Sequence, residues 1–292
     1  MRRAPLLLLA VLALAACGGG SDSKESGLAA PFAYDESEPL DLDGRTMDRR
    51  EGGIEVRDIS FRGPRTPRLP SYLVVPAATG KRPAVIYVHG AGGNRGELLD
   101  RAMQLARRGV VGLTLEMSYS PLRARPLPTG MEGVKARVDV EVESVQEVRR
   151  AVDLLRSLDF VDEERIGYVG WSAGARMGAI VAGVDHRIKA LDLIAGGAAP
   201  LSEYLAAAPP ELRAELEPVL GTTDPLRYIP HAKPSALFFQ NGRRDEIVPK
   251  PALTALAQAA SEPKQVKWYD MSHVPSERAW ADANRWLLRT LG

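Results

Sequence analysis

Short apolar runs alternate with helical patterns along most of the 292-residue chain, and this alternation limits the possible folds more than any other feature. Residues 84–88 read Ala-Val-Ile-Tyr-Val, a continuous apolar run that suits a strand buried on both faces. Residues 165–170 form another strand and lead into a helix of small residues at 173–182. Such alternation builds a mostly parallel sheet covered by helices on both faces. We therefore predict an α/β fold of about eight strands in one domain, residues 51–292.

The same patterns place the remaining elements. Apolar residues recur at spacings of three and four from Val138 to Leu155, which predicts a long helix. Residues 118–137 are predicted to be a long loop, and residues 200–230 a helical insert that forms either a partial lid or a surface helix. Further strands are predicted at 54–61, 72–75, 110–115, 191–195, 236–240 and 266–269, and further helices at 97–108, 251–260 and 276–291.

A candidate nucleophile lies between a predicted strand and a predicted helix. Residues 170–174 read Gly-Trp-Ser-Ala-Gly. A serine at the tip of such a sharp turn has a strained backbone, so its neighbours two positions away must be small, as Gly170 and Gly174 are. A pattern with three fixed positions also arises by chance in a strand-to-helix turn. The flanking strand and helix favour Ser172 as a nucleophile.

A glycine-rich loop follows the strand at 84–88. Residues 89–93 read His-Gly-Ala-Gly-Gly, and glycines let a backbone approach a substrate closely. Acyl transfer needs preorganised N–H donors for the developing oxyanion. We expect the N–H groups of Ala173 and Ala91 to be these donors, with Gly92 as the alternative to Ala91. A phosphate-binding loop is disfavoured, because no Lys-Ser/Thr pair and no dinucleotide spacing follows.

The general base is expected after Ser172 in the chain, because the hydrolase fold that this strand–serine–helix turn resembles has its acid and then its histidine after the serine. His89 precedes the serine and is interpreted as a structural residue that pins its loop. His273 lies between the last predicted strand and the last predicted helix, and is the predicted base. His186 lies in a polar turn and is more simply solvated, whereas His231 is a candidate to line a pocket.

The predicted acid is Asp245, in the loop that follows the strand at 236–240. A carboxylate there precedes His273 by one helix and one strand, which is the required chain order. Glu246 is the nearest competitor. Asp224 and Asp270 are placed less well relative to the strand ends.

Ser172, Asp245 and His273, with the loop at 89–93, resemble the α/β-hydrolase superfamily. The Gly-Trp-Ser-x-Gly turn and the Asn-Gly-x-x-Asp-x-x-Val-Pro segment at 241–249 are similar to dienelactone hydrolase-like esterases, acetyl xylan esterases and the catalytic domain of prolyl oligopeptidases. The chain departs from dienelactone hydrolases proper, which have cysteine in place of Ser172, and from the oligopeptidases, which need an N-terminal propeller. The resemblance implies two-step acyl transfer without a metal or an organic cofactor.

The expected function is that of a carboxylesterase for small esters. The alternatives are a peptidase that acts on small peptides, and an inactive lipid-anchored binding protein of the same fold. The formal net charge is +1, which disfavours nucleic acid as a partner. Arg123, Arg125 and Lys135 in the long loop either meet an anionic part of the substrate or form a solvated charge run.

The N-terminal residues predict export. Arg2 and Arg3 precede an apolar run at 6–16 that is too short to span a bilayer but suits a signal peptide, residues 1–16. The following Cys17 is the only cysteine, and the Leu-Ala-Ala-Cys-Gly sequence resembles the lipobox of bacterial lipoproteins. The resemblance implies a protein lipid-anchored to the bacterial cell envelope through Cys17, with residues 17–50 as a flexible tether. The alternative is an ordinary secreted protein cut after Ala16.

Overall fold

The computed structural model describes residues 27–49, 51–77 and 79–292. The strands are β1 (Asp43–Arg49), β2 (Glu55–Phe61), β3 (Leu69–Val75), β4 (Arg82–Val88), β5 (Val111–Leu115), β6 (Val161–Trp171), β7 (Ile188–Ile194), β8 (Ala236–Gly242) and β9 (Lys264–Tyr269). The helices are α1 (Leu99–Ala106), α2 (Gly130–Ser157), α3 (Ala173–Val184), α4 (Leu201–Ala207), α5 (Pro210–Gly221), α6 (Pro225–Tyr228), α7 (Lys250–Ala259) and α8 (Glu277–Thr290).

The strands form one nine-stranded sheet in the order β1-β2-β3-β5-β4-β6-β7-β8-β9. Strands β1, β2 and β3 are antiparallel, and β3 also pairs antiparallel with β5. From β5 to β9 all neighbours are parallel. The predicted α/β fold with a mostly parallel sheet is therefore confirmed, with nine strands rather than about eight.

The additional strand is β1, at the edge of the sheet. Its sequence Asp-Gly-Arg-Thr-Met-Asp-Arg has no apolar alternation, and residues 43–47 are exposed. An edge strand pairs through its backbone on one side only, so polar side chains are compatible with it. The hydrophobic pattern consequently gave no signal for β1.

The core lies on both faces of the sheet, because helices cover the central parallel strands on either side. Residues 84–88 in β4 are all buried. Val85 and Tyr87 belong to the cluster that includes the buried faces of α1 and α8. Ile86 and Val88 belong to the opposite cluster, with α2 and α3. The two clusters fix the sheet from both sides, and so fix the loops that leave its strand ends.

Helix α2 begins earlier than predicted, so the loop after β5 is shorter than 118–137. The helix starts at Gly130, which has a φ of 64°, and residues 130–137 are exposed or half-buried. Apolar spacing marks only the part of the helix that packs on the sheet, and that part begins at Val138, which is buried. The loop therefore ends at Thr129.

Part of the predicted tether packs on the domain. Phe32 is fully buried, and its ring centroid lies 5.4 Å from that of Tyr228. Gln146 in α2 donates a hydrogen bond to Ala33 O at 2.8 Å. The interpretation of 17–50 as flexible tether is thus wrong for the described residues 27–49, which belong to the folded body. Cys17 and the signal at 1–16 lie outside the described residues, and none of the described helices is long and apolar enough to cross a membrane.

Candidate active site

The predicted site residues follow the carboxyl ends of four parallel strands. Ser172 follows β6, Asp245 follows β8, His273 follows β9, and the loop at 89–93 follows β4. Parallel strands place these ends on the same edge of the sheet, which is where ligands bind in folds of this class. The topology thus brings together residues that are far apart in the chain.

Ser172 has the strained backbone expected for a nucleophile at a sharp turn. Its φ is 55° and its ψ is −112°, a conformation that L-residues rarely adopt. A Cβ on Gly170 would lie 2.5 Å from the carbonyl of Gly174, and one on Gly174 would collide with the carbonyl oxygens of Val88 and His89. Gly170 is therefore required by close packing within the turn itself, and Gly174 by packing of the turn against the end of β4.

Ser172, His273 and Asp245 form a chain of hydrogen bonds. His273 Nε2 lies 2.9 Å from Ser172 Oγ, and Nδ1 lies 2.9 Å and 3.1 Å from the two carboxylate oxygens of Asp245. An ionised carboxylate only accepts, so the geometry assigns the proton to Nδ1 and leaves Nε2 to accept from the serine hydroxyl. This arrangement lets the imidazole take a proton from Ser172.

The carboxylate of Asp245 is held by its own loop. Its side chain is 1% exposed, and Oδ1 accepts hydrogen bonds from the backbone N–H groups of Ile247 at 2.9 Å and Val248 at 2.8 Å. This loop is tied to the histidine loop, because Arg244 N donates to Met271 O at 3.1 Å. The acid and the base are thereby fixed relative to one another.

The loop at 89–93 is a tight turn beside the nucleophile. Gly93 N donates to Gly90 O at 3.1 Å, and Gly92 has a φ of 83°, in the left-handed region that favours glycine. A Cβ added to Gly90 would lie 3.5 Å from Ser172 Cβ, so the loop lies close beside the strand–serine–helix turn at 170–174, here called the elbow. Within the described part of the chain, the N–H groups of Ala91 and Gly92 donate to no protein acceptor. Two backbone donors are therefore free near Ser172.

The His89 ring makes its hydrogen bonds to backbone atoms and is not part of the hydrogen-bonded series Ser172–His273–Asp245. Its Nδ1 lies 2.7 Å from Gly90 O, and Met117 N donates to its Nε2 at 3.3 Å. Burial lowers the pKa of His89, which favours the neutral ring. Tyr119 adds a hydrogen bond from its hydroxyl to His89 O at 2.6 Å. These contacts match the interpretation of His89 as a residue that pins its loop.

The competing site residues lie apart from this chain of hydrogen bonds. His186 and His231 are exposed, and Glu246 is exposed beside the acid. Asp224 accepts a hydrogen bond from the backbone at the start of α6, and Asp270 pairs with an arginine at 2.8 Å. No group of three or more His, Cys, Asp or Glu side chains in the described ranges is placed to hold a metal ion.

The basic residues predicted to lie in the long loop have separate roles, and Lys135 lies in α2 rather than in the loop. Arg123 pairs with the buried Glu147 at 2.6 Å, and its side chain is 15% exposed. Burial raises the pKa of Glu147 to about 7 despite this partner. Arg125 is exposed, and Lys135 pairs with an acid on α5. Arg123 is therefore neither a solvated charge nor a free cation for a substrate, but a structural partner of α2.

The insert predicted at 200–230 is helical and forms α4, α5 and α6. Together with the start of α2 it encloses a cavity of about 280 Å³. Arg176 lies one turn after Ser172 in α3, lines this cavity and pairs with Glu141 at 2.9 Å. The insert is thus one wall of a cavity beside the helix that follows the elbow.

Sequence reasoning assigned no role to Trp171, the residue before Ser172. Its indole N–H donates to His273 O at 3.1 Å. The only signal in the sequence is its place inside the elbow, which indicates proximity to the site but not a partner. The contact depends on how the loop after β9 returns over β6, which a local pattern does not encode.

The sequence matches the model of the dienelactone hydrolase family over residues 69–274. Comparison with curated protein sequences finds no match. Among solved structures, an acetyl xylan esterase from Paenibacillus sp. R4 has a TM-score of 0.75 at 19% identity, covering 90% of this chain and 92% of that one. Acetyl xylan esterase 1 from Thermoanaerobacterium sp. JW/SL YS485 has a TM-score of 0.75 at 18% identity, covering 91% and 92%.

A puromycin-hydrolyzing peptidase from Mycobacterium tuberculosis is also similar in structure. Its TM-score is 0.67 at 18% identity, and the match covers 83% of this chain and 40% of the peptidase. At these identities the structural similarities concern the fold alone. The chemistry has to be argued from the residues at the site.

Proposed function

The chain belongs to the dienelactone hydrolase family, and on this premise we propose that it is a serine hydrolase, namely a carboxylesterase that cleaves small esters. The observation that carries the proposal is the hydrogen-bonded chain from Ser172 through His273 to Asp245. The strained turn at Ser172 adds support, because it exposes the hydroxyl at the edge of the sheet.

In the proposed reaction, His273 Nε2 takes the hydroxyl proton as Ser172 Oγ attacks the ester carbonyl. Asp245 stabilises the imidazolium that forms and keeps its orientation. The tetrahedral intermediate collapses, the carbon–oxygen bond to the alcohol breaks, and the alcohol leaves with the proton from His273. Water, deprotonated by the same imidazole, then attacks the acyl carbon. The bond from that carbon to Ser172 Oγ breaks, His273 returns the proton to Oγ, and the carboxylic acid leaves.

The oxyanion of each intermediate needs donors that are in place before the reaction. The proposed donors are Ala173 N–H, the first residue of α3, and Ala91 N–H, with Gly92 N–H as the alternative in the same turn. The N-terminus of α3 carries a partial positive charge that favours the developing anion. The free state of the donors at 91 and 92 supports their assignment.

Substitution of the nucleophile tests the proposal. Ser172→Ala is expected to lower kcat/KM for p-nitrophenyl acetate by about 10⁴-fold or more without change in the circular dichroism spectrum. Ser202→Ala, an exposed serine on α4, is the matched control and is expected to keep full activity. Hydrolysis by purified Ser172→Ala at the wild-type rate would overturn the proposal.

A peptidase is the second candidate, since one structural neighbour is a puromycin-hydrolyzing peptidase. The same residues can attack an amide. The amine of an amide is a poorer leaving group than the alcohol of an ester, so His273 must protonate it as the bond breaks. A panel of p-nitroanilides and short peptides, run beside p-nitrophenyl esters of matched acyl groups, separates the two. The proposal predicts turnover of the esters and none of the p-nitroanilides and peptides, whereas a peptidase also cleaves the amide substrates.

We also propose that the protein is exported and lipid-anchored through Cys17, on the sequence features at residues 1–17 alone. Two acyl chains give stable attachment to a bilayer. In a bacterial host, Cys17→Ser is expected to abolish incorporation of radiolabelled palmitate and to release the protein from the membrane fraction. Labelling that survives this substitution would contradict the proposed anchor.

A further inference from the structure

The indole of Trp171 is hydrogen-bonded to one of the loops that face Ser172 and lies next to the other. Its Nε1–H donates to His273 O at 3.1 Å, and the two ring centroids lie 5.8 Å apart. On the other side, a Cβ added to Gly90 would lie 3.5 Å from Trp171 Cε3, so the ring lies beside the start of the loop at 89–93 with no room for more than one added carbon. One side chain is therefore hydrogen-bonded to the loop of His273 and lies next to the loop of the proposed oxyanion donors, and its backbone adjoins Ser172.

The backbone of His273 has few other restraints. Among the hydrogen bonds of the described residues, the bond from Trp171 Nε1 is the only one that reaches the main chain of His273. Hydrogen-bond strength falls steeply with distance and angle. The 2.9 Å separation of His273 Nε2 from Ser172 Oγ thus depends on where the His273 main chain is held.

The indole is itself held firmly. Trp171 is the last residue of β6, and its backbone pairs with Ile194 in β7. Its ring packs against the buried cluster that includes Tyr87 and the buried faces of α1 and α8. The position of the N–H is therefore set by the sheet and the core rather than by a surface loop.

We propose that Trp171 is a positioning residue for acyl transfer: its N–H sets the place of His273 against Ser172 Oγ, and its ring supports the loop at 89–93. This inference rests on the proposed function, because it concerns the rate at which Ser172 is activated. Since substrate does not have to touch the indole for this role, kcat is affected and KM is not.

The test compares Trp171→Phe, which keeps a ring but removes the N–H donor, with Trp268→Phe on β9 as the matched control. Each purified variant is assayed for kcat and KM with p-nitrophenyl acetate, for Tm, and for the rate of labelling by a fluorophosphonate. In that labelling the Ser172 Oγ–P bond forms as the P–F bond breaks, and the proton passes to His273. Labelling therefore reports activation of the serine independently of substrate binding.

For Trp171→Phe we expect kcat and the labelling rate to fall about tenfold, with KM within about twofold of wild type, because the lost bond is made to the base and not to substrate. Trp268→Phe is expected to stay within about twofold on every measure. Rates for Trp171→Phe within twofold of wild type, or rates that fall only in proportion to its folded fraction, would overturn the inference.

Failure of the proposed function has a different signature. If the wild-type protein neither hydrolyses the ester nor takes the label, the proposed function fails and this inference fails with it. If the wild type reacts and Trp171→Phe reacts at the same rate, only the role of Trp171 is lost. Trp171→Ala, which removes both contacts, is expected to label more slowly than Trp171→Phe if it folds, and Trp171→Phe decides the matter if it does not.

Discussion

The loop that carries Asp245 and the loop at residues 89–93 lie on the same edge of the sheet. They differ in whether their polar groups have hydrogen-bond partners within the protein. The carboxylate of Asp245 is almost fully buried and accepts hydrogen bonds from His273 and from two backbone N–H groups. In the glycine loop, the N–H groups of Ala91 and Gly92 donate to no acceptor among the described residues. One loop satisfies its polar groups, and the other leaves two of them free.

The two loops differ because the carboxylate is present throughout, whereas the oxyanion forms only during the proposed reaction. A carboxylate that is ionised in the resting protein needs permanent partners, because an unpaired buried charge is costly. Donors for an oxyanion meet their charge only during the reaction, and they work best when they are fixed and unoccupied beforehand. Hydrogen bonds to a buried carboxylate therefore order the loop of Asp245, whereas glycine conformations and hydrogen bonds of the Glu97, His89 and Tyr119 side chains order the other.

The largest effect is expected when the hydrogen-bonded group of Asp245, His273 and Ser172 is disrupted. His273→Ala removes the group proposed to take the serine proton, and kcat for p-nitrophenyl acetate is expected to fall by about 10⁴-fold to 10⁶-fold. His186→Ala, at an exposed turn, is the control and is expected to be unchanged. Steady-state kinetics on both proteins provide the measurement, and a loss below tenfold for His273→Ala would exclude it as the base.

A smaller loss is expected for Asp245→Asn, because the imidazole remains but its tautomer and its charge are no longer set. We expect kcat to fall by about 10³-fold to 10⁴-fold, with Tm nearly retained. Glu246→Gln, the exposed neighbour, is expected to leave kcat within about twofold. If Glu246→Gln proved the more damaging of the two in the same assay, the acid would have to be reassigned.

The glycine loop is tested through Glu97, whose Oε2 accepts a hydrogen bond from Gly90 N at 3.0 Å. Removal in Glu97→Ala is expected to lower kcat about threefold to tenfold with little change in KM, since the donors lose order but remain present. Glu97→Gln keeps an acceptor and is expected to recover most of the rate. Equal rates for Glu97→Ala and wild type would mean that the turn is fixed without this carboxylate.

Asp192 offers a third case, a buried carboxyl without a cation, on which turnover should depend least. Gln240 donates to it at 2.8 Å, and burial raises its pKa from 3.8 to about 8. The folded protein thus prefers the protonated form, so the stability present below about pH 4 is lost as pH rises to about 8.

Asp192→Asn removes this dependence. The free energy of unfolding of the variant, relative to wild type, is expected to rise between pH 5 and pH 8 by on the order of 1 kcal/mol or more, with kcat within about twofold. Urea unfolding at the two pH values measures the difference. A constant difference between variant and wild type would show that Asp192 keeps the same protonation state in both folded and unfolded chains.

Much of the fold was predictable because buried strands and amphipathic helices have periodic sequences. The family resemblance inferred from the elbow and from residues 241–249 is confirmed by the match over residues 69–274. The candidate triad was also found in the sequence, since chain order and strand ends restricted it to few residues. The structure brings Ser172, Asp245 and His273 together, and their catalytic role stays a prediction.

The features that sequence reasoning missed depend on tertiary contacts. Strand β1 is polar and joins the sheet through its backbone, so it has no hydrophobic pattern. Arg123 lies in a loop rich in charge, and only its buried partner Glu147 makes it structural. The indole of Trp171 is hydrogen-bonded to His273, which lies 102 positions later in the chain. Local spacing does not encode such pairs.

Mass spectrometry of the protein after reaction with a fluorophosphonate tests the central claim most directly. It identifies the residue that attacks the reagent, whereas kinetics on a variant show only that a rate has fallen. The proposal predicts one phosphonyl group on the peptide that contains Ser172, and no adduct in His273→Ala over the same time. An adduct on another residue, or none on wild-type protein that still hydrolyses p-nitrophenyl acetate, would contradict the claim that Ser172 is the nucleophile.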